Sequence, residues 1–416
     1  MTSSDVREHP DIPPQFGVAL RKLRVGARLT LSQLARKVHY SKSHLSKVEN
    51  GRQQPTPQFA RLCDSALRAD GALTALVPAK TAADGATGRG RGIGRREAMS
   101  VGAASVLGLG LVGPADPAPA EEGIALDIFR SLFDHFRRLG QVAGPQAVLP
   151  ALAAQTRTLR DLAGRAKSPL RAPLLFLGSR YSEFTGWMAQ EAGDERAALR
   201  WTNQAVALAT ASGDRELAVY ADVRRALIAM YRGDAAETVA LSRAAAAAPA
   251  GPRVHGLAAL QEAQGHALAG DHDACRRSLD RGRVLLDQAA DRGDETLGSR
   301  HVKDPAAMVT AWCLLDLGRP REAAEAFDAE LAGLPKDAMR SHARYGARRC
   351  LSYAVAGEID RACALTGDLL ASADVVNSAT VATDLQRLNR VLTRFHRHPA
   401  VRDLSPRLAA SLSTAA

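Results

Sequence analysis

Residues Thr30–Leu62 read TLSQLARKVHYSKSHLSKVENGRQQPTPQFARL. Leu31, Leu34, Ala35 and Val38 recur at helical spacing, the pattern stops at HYSKS, and Leu45 and Val48 restart it. Thr30, Ser41 and Thr56 each stand where a hydroxyl can cap a new helix, and Pro57 follows Thr56 at a first helical position. Asn50-Gly51 stops the second of these helices. Two short helices joined by a tight turn, set among other helices, make a helix-turn-helix. Ala35 is small where the two would cross, and Leu45 and Val48 anchor the second helix inward. His39 occupies the turn, where positive φ is common and histidine tolerates it better than a β-branched residue. Lys42, Ser43, His44 and Lys47 are left on the polar side.

The pattern extends both ways. Phe16, Ala19, Leu20 and Leu23 mark a preceding helix, and Asp70-Gly71 introduces a short fifth one after the helix opened by Pro57. Over residues 15–78 the chain resembles the phage-repressor/Cro-like, or XRE, helix-turn-helix family. The matching stretches are LxxLRxxxxLTLSQLA (Leu20 to Ala35) and SKSHLSKVENGRQQPT (Ser41 to Thr56). The resemblance implies a five-helix DNA-binding domain and double-stranded DNA as partner. It puts Lys42, Ser43 and Lys47 at base edges, with His44 as an addition, because Lys can donate to guanine O6/N7 and Ser to several bases. It puts Thr30, Lys37 and Arg52 at phosphates. Leu31 stands where several phage repressors have a glutamine that buttresses the base-reading residue, so no particular base preference carries over. Glu49 and Asn50 are expected to cap and end the third helix.

Charge agrees with that placement. Residues 1–97 hold 17 Lys/Arg against 8 Asp/Glu, and the other 319 residues hold 38 against 36. A polyanion should therefore meet the N-terminal quarter. Only 4% of residues are aromatic while alanine abounds, which suits closely packed helices over sheets. Cys63, Cys275, Cys313, Cys350 and Cys363 form no CxxC and no zinc-like spacing, and read as reduced core residues of a cytoplasmic protein. No metal, cofactor or enzyme motif is expected.

The rest of the chain falls into three stretches. Residues 1–14 read as a disordered arm. Residues 79–123 read as a Gly/Arg-rich and apolar linker. Within it, Arg95-Arg96, an uncharged run from Ala98 and Ala118-Pro119-Ala120 resemble a twin-arginine export signal over 95–120. A linker helix and a membrane tether are both compatible with it, although the run is shorter than the ~20 residues of a membrane span. Residues 124–416 read as helix throughout.

That last stretch repeats. Gly193, Gly233, Gly270, Gly318 and Gly357, each followed by an Asp, Arg or Glu, lie 40, 37, 48 and 39 residues apart. Seven residues before them stand Gly186, Ala226, Ala263, Ala311 and Cys350; five after stand Ala198, Thr238, Cys275, Ala323 and Ala362. Small residues at those offsets let paired helices approach closely, and the glycine ends the first helix of each pair. This resembles degenerate tetratricopeptide repeats over about residues 172–370, with a further helix pair before them. The expected fold class is all-α: a helix-turn-helix domain, a linker and an α-solenoid. The first helices of the pairs would line a concave groove carrying Arg180, Glu183, Trp187, Gln190, Tyr220, Gln264, Trp312 and Arg344.

Such a pairing of domains resembles bacterial regulators that dimerise on a palindromic operator and answer to a peptide, a small molecule or a protein bound by the repeats. The alternatives are a repeat scaffold with secondary DNA binding and a membrane-tethered regulator.

Overall fold

The computed structural model describes residues 14–77, 119–291 and 297–414. The expected arm and most of the expected linker, with its twin-arginine-like run, lie outside these residues. Every element among the described residues is helical. None of these helices is long and apolar enough to cross a membrane.

The N-terminal elements are α1 (Pro14–Gly26), α2 (Leu31–Lys37), α3 (Lys42–Glu49) and α4 (Pro57–Leu67). Each of the last three begins on a hydroxyl cap. Thr30 Oγ1, Ser41 Oγ and Thr56 Oγ1 accept from the amides of Gln33, His44 and Phe59 at 3.2, 3.0 and 3.1 Å. His39 takes φ 52° in the α2–α3 turn. Phe16, Leu20, Leu34, Leu45, Val48 and Phe59 form the buried centre. The expected fifth helix is a single 3₁₀ turn, Thr74–Leu76. The buried Asp64 carboxylate holds this turn on α4 by accepting from the amides of Leu73 and Thr74 and from the Thr74 hydroxyl, at 2.9, 2.8 and 2.7 Å.

Fourteen further helices follow as antiparallel pairs: α5 (Pro119–Val142) with α6 (Pro145–Arg165), α7 (Arg171–Glu191) with α8 (Glu195–Ser212), α9 (Arg215–Arg232) with α10 (Ala235–Ala247), and α11 (Pro252–Ala269) with α12 (His272–Asp291). The series ends with α13 (Pro305–Asp316) and α14 (Pro320–Ala332), α15 (Met339–Ala356) and α16 (Ile359–Val376), and α17 (Ala379–Leu392) and α18 (Pro399–Thr414). Helix α5 begins five residues before the expected Ile124. The five repeat glycines all adopt φ between 79° and 86° at the turn inside a pair. The small residues seven before and five after them are all buried. Their closeness is direct at Thr238, whose hydroxyl lies 3.5 Å from the Ala226 carbonyl oxygen across α9 and α10.

An open groove was the expectation, but the series of pairs closes on itself. Arg340, at the start of α15, is 1% exposed and binds elements from both ends of the array. Its guanidinium donates to the carbonyls of Gly140, Ala143 and Val376 at 2.6, 2.6 and 3.1 Å and pairs with Glu191 at 3.0 Å. The hydroxyls of Ser378 and Thr380 donate to the same carboxylate at 2.6 and 3.0 Å. Burial alone would raise the Glu191 pKa. Arg340 and Arg344, with the hydrogen bonds from Ser378 and Arg340, outweigh it and hold the carboxyl below its ordinary value.

The N-terminal helices rest on the turns of three successive pairs. A Cβ placed on Gly318 would lie 2.7 Å from the Arg61 carbonyl oxygen, and one on Gly357 would lie 2.4 Å from His39 Cε1. At the third turn Gly270 meets Thr74. The Arg61 guanidinium is buried and donates to the Leu268 carbonyl at 3.3 Å.

Candidate nucleic-acid interface and inner cavity

Helix α3 is eight residues long and amphipathic. Leu45 and Val48 are buried, while Lys42, Ser43 and Lys47 are exposed together on the opposite side. Arg52 is exposed just beyond the turn at Gly51, which takes φ 69°. The helix is held rigidly from behind. Arg24 of α1 forms a two-point pair with Glu49, Nε to Oε1 at 2.6 Å and Nη2 to Oε2 at 3.0 Å, and also donates to the Leu29 carbonyl at 2.8 Å. Glu49 is therefore a tie to α1 rather than a cap. Asn50 ends the helix, donating to the Ser46 carbonyl at 2.7 Å.

His44 departs from the expectation. Its ring turns away from Lys42 and Lys47 and packs on Tyr40 and on the edge of Phe59, with centroids 4.8 and 5.0 Å apart. Its Nε2 is buried without a hydrogen-bond partner. Position i+3 from the Ser41 cap faces the core here because Phe59 offers an aromatic wall. The Thr30 hydroxyl is engaged in the capping box with Gln33. Lys37 is exposed at the rim of the crevice below Gly318 and Arg319.

Closure of the array creates a cavity of about 220 Å³ between the first helices of the pairs. Six of the eight expected groove residues line it: Glu183, Trp187, Tyr220, Gln264, Trp312 and Arg344. The other two do not. Arg180 pairs with Asp214 at 2.8 Å over the Phe176 ring, and Gln190 accepts from Arg224 at 3.0 Å. Sequence reasoning missed Arg137 of α5, Arg253 of α11 and the segment 298–302, which also line the cavity. The signal was the break in the repeat pattern between Gly282 and Asp304, a stretch that ends by roofing the space. Burial, then Glu183, pushes the Tyr220 phenol up to about 12.

Residues 15–77 match a protein family described as a helix-turn-helix domain. No curated protein and no solved structure matches the chain. The helix-turn-helix domain thus carries the only recognisable chemistry by likeness, and the array must be read from its own residues. Between the two runs a crevice lined by Tyr40, Ser41 and His44 on one side and Arg387, Arg390 and Arg394 on the other. The Arg394 guanidinium lies 4.2 Å from the Tyr40 ring centroid.

A charged chain runs from cavity to crevice. The Arg348 guanidinium stacks 3.2 Å from the Trp312 ring centroid and pairs with Asp384 at 2.9 Å and Asp316 at 3.7 Å. Arg387 pairs with the same two carboxylates at 3.6 and 3.2 Å. Burial would raise Asp316, but Arg387, Arg348 and Arg61 of the helix-turn-helix domain hold it below its ordinary value.

Proposed function

We propose that the chain is a sequence-specific DNA-binding transcription regulator whose tetratricopeptide-like array receives an effector. The observation that carries this reading is the exposure of Lys42, Ser43 and Lys47 on one face of a helix that is capped, anchored and ion-paired behind. Such a face enters a major groove with its first residues foremost. Arg52 sits where a phosphate passes. Phosphate contacts set the affinity and its salt dependence, and base-edge contacts set the sequence.

The reading side chains stay exposed while the domain is docked on the array. Control by masking is thus not needed; control by placement is the reading that fits. In a homodimer, two recognition helices at fixed separation call for half-sites about 34 Å apart, or a multiple. An effector that changes the pitch of the array changes that separation, and a near-complete switch needs about 5.5 kcal/mol of difference between its affinities for the two states. The Trp312–Arg348–Asp316–Arg387 chain gives a contiguous route for it.

The test is selection of bound duplexes from random DNA by the full-length protein beside a Lys42→Ala/Lys47→Ala variant. An enriched palindrome that the variant loses is the expected result. No enrichment by the full chain, nor by residues 1–80 alone, would sink the regulator reading and leave the array as a protein-interaction scaffold.

A further inference from the structure

Six arginines line the cavity, and Glu183 is the one carboxylate lining it among the described residues. The arginines differ in what they touch. Arg340 is fully engaged by Glu191 and three carbonyls. Arg224 lies 3.4 Å from Glu183, and Arg300 lies 3.4 Å from Asp134 on the outer side. Arg137 and Arg253 donate to neighbouring carbonyls, of Gly298 at 3.0 Å and Leu297 at 2.6 Å, and Arg137 also lies over the Phe133 ring, 5.8 Å from its centroid. Arg344 stacks between Tyr231 and Trp312, 5.4 Å from each ring centroid, and its buried Nε has no hydrogen-bond partner. Three cations without an ion-pair partner thus face one small space. The lining as a whole sets six guanidiniums against one carboxylate, and an anion is the complement for that positive excess and for the unpartnered Arg344 Nε.

The walls say what kind. Trp187, Phe184, Tyr220 and Trp312 supply flat apolar surface, and Gln261 and Gln264 supply neutral amides. A volume of about 220 Å³ falls below the ~300–1,000 Å³ of sites for drug-sized ligands. The inner space suits a small ligand better than a peptide of several residues.

We propose that the cavity binds a small aryl carboxylate, its carboxylate taken by Arg344 and its ring held against the Trp187 and Trp312 walls. Charge-assisted bonds to a guanidinium are strong, and the planar fork of arginine matches a carboxylate. This deepens the effector reading given above. Binding itself does not depend on that reading, whereas any consequence for DNA does.

Two of the three tryptophans, Trp187 and Trp312, line the site, so intrinsic fluorescence reports on it. The full-length protein carrying Trp201→Phe is titrated with benzoate, phenylacetate and indole-3-acetate, with benzamide and inorganic phosphate alongside. At least one aryl acid is expected to give a saturable change, with benzamide and phosphate each weaker by about tenfold or more, the ~1.4 kcal/mol of a lost charged contact. Arg344→Gln should weaken the acid similarly while leaving the helical content intact, and Arg344→Lys should recover part of it. Should Arg344→Gln not fold, Arg253→Gln is measured against the same acids. The proposal fails if no acid gives a saturable response by about 10 mM, beyond the millimolar range of weak specific complexes. It fails equally if benzamide or phosphate binds as well, or if the folded Arg344→Gln variant binds unchanged. Acid binding with unaltered DNA affinity and operator spacing would keep the site and remove its regulatory role.

Discussion

Two regions of the molecule gather cationic side chains, and they do so under opposite conditions. On α3 the cations Lys42 and Lys47 stand in water, each free to find a phosphate or a base edge. In the cavity Arg137, Arg253 and Arg344 are half-buried, the first two held by backbone carbonyls and the third between two aromatic rings. The first arrangement suits a polyanion that brings its own counterions and is sensitive to salt. The second suits one small anion of matching shape, because exposed charge attracts while enclosed charge selects. The Trp312–Arg348–Asp316–Arg387 chain runs from the cavity to the crevice beside the helix-turn-helix domain.

The comparison breaks most severely if the cavity loses its closure. Removing one partner of a buried ion pair leaves the other uncompensated and costs about 3–5 kcal/mol. Glu191→Ala strands Arg340, Ser378 and Thr380 together, and should lower the unfolding free energy by an amount of that order. Denaturant unfolding followed by circular dichroism measures it. A loss smaller than about 1 kcal/mol, typical of an exposed pair, would mean that the array does not depend on the Arg340–Glu191 closure. The same carboxylate gives a pH signature. Its pKa is depressed in the fold, so its contribution is present above the ordinary carboxylate range and is lost as pH falls through the folded value.

The next effect isolates the docking of the helix-turn-helix domain. Gly318 and Gly233 have the same φ, 80° and 79°, in equivalent turns. Only Gly318 has a neighbour in the way, the Arg61 backbone; around Gly233 the space is open. Gly233→Ala should cost about 1–2 kcal/mol from the left-handed conformation alone. Gly318→Ala should cost a further ~1–3 kcal/mol, as overpacking against backbone does. Equal losses for the two variants would mean that the domain is not held on the array through this turn.

Breaking the reading face gives effects of similar or smaller size, distinguishable by their pattern. Lys42→Ala and Lys47→Ala should each cost about 1–3 kcal/mol on the selected operator. Arg52→Ala should weaken all sequences alike and shallow the salt slope by about one unit. Fluorescence anisotropy on operator and random duplexes at several salt concentrations separates them. Uniform loss for all three would remove the base-reading role.

The helix-turn-helix was legible because its determinants are local. Caps at Thr30, Ser41 and Thr56 act within three residues, and the turn at His39 is a single φ. The helix pairs were legible for a related reason, since small residues at fixed offsets from a glycine record a contact twelve residues wide. What could not be read were contacts with no local trace. Arg340 finds Glu191 149 positions away and Gly140 200 positions away, so an open groove was expected where a closed cavity formed. Six groove residues were identified because they share the inner face of the first helices. Arg180 and Gln190 share that face too, but each met a polar partner first. His44 was open at a finer level, since its packing on Tyr40 and Phe59 depends on residues outside its own helix.

The smallest expected effect is a pH dependence at the seam between the regions. His39 and His44 both face the array. Burial, then Arg321 and Arg394, lowers the pKa of His39; burial, then Arg394 and Lys47, lowers that of His44. The Glu322 carboxylate, in the same crevice as His39, accepts from Arg319 at 2.7 Å. A histidine with a depressed pKa binds fewer protons docked than free. Docking is therefore strongest where both rings are neutral and weakens as pH falls and the undocked rings take up protons first. Amide exchange in α4 and at Gly318, corrected for its intrinsic rate, should show lower protection at about pH 5.5 than at about pH 7.5. His39→Gln with His44→Gln should abolish the difference. Protection that is constant across this range would place both rings in water, and the seam would then be held by Arg61 and the turn glycines alone.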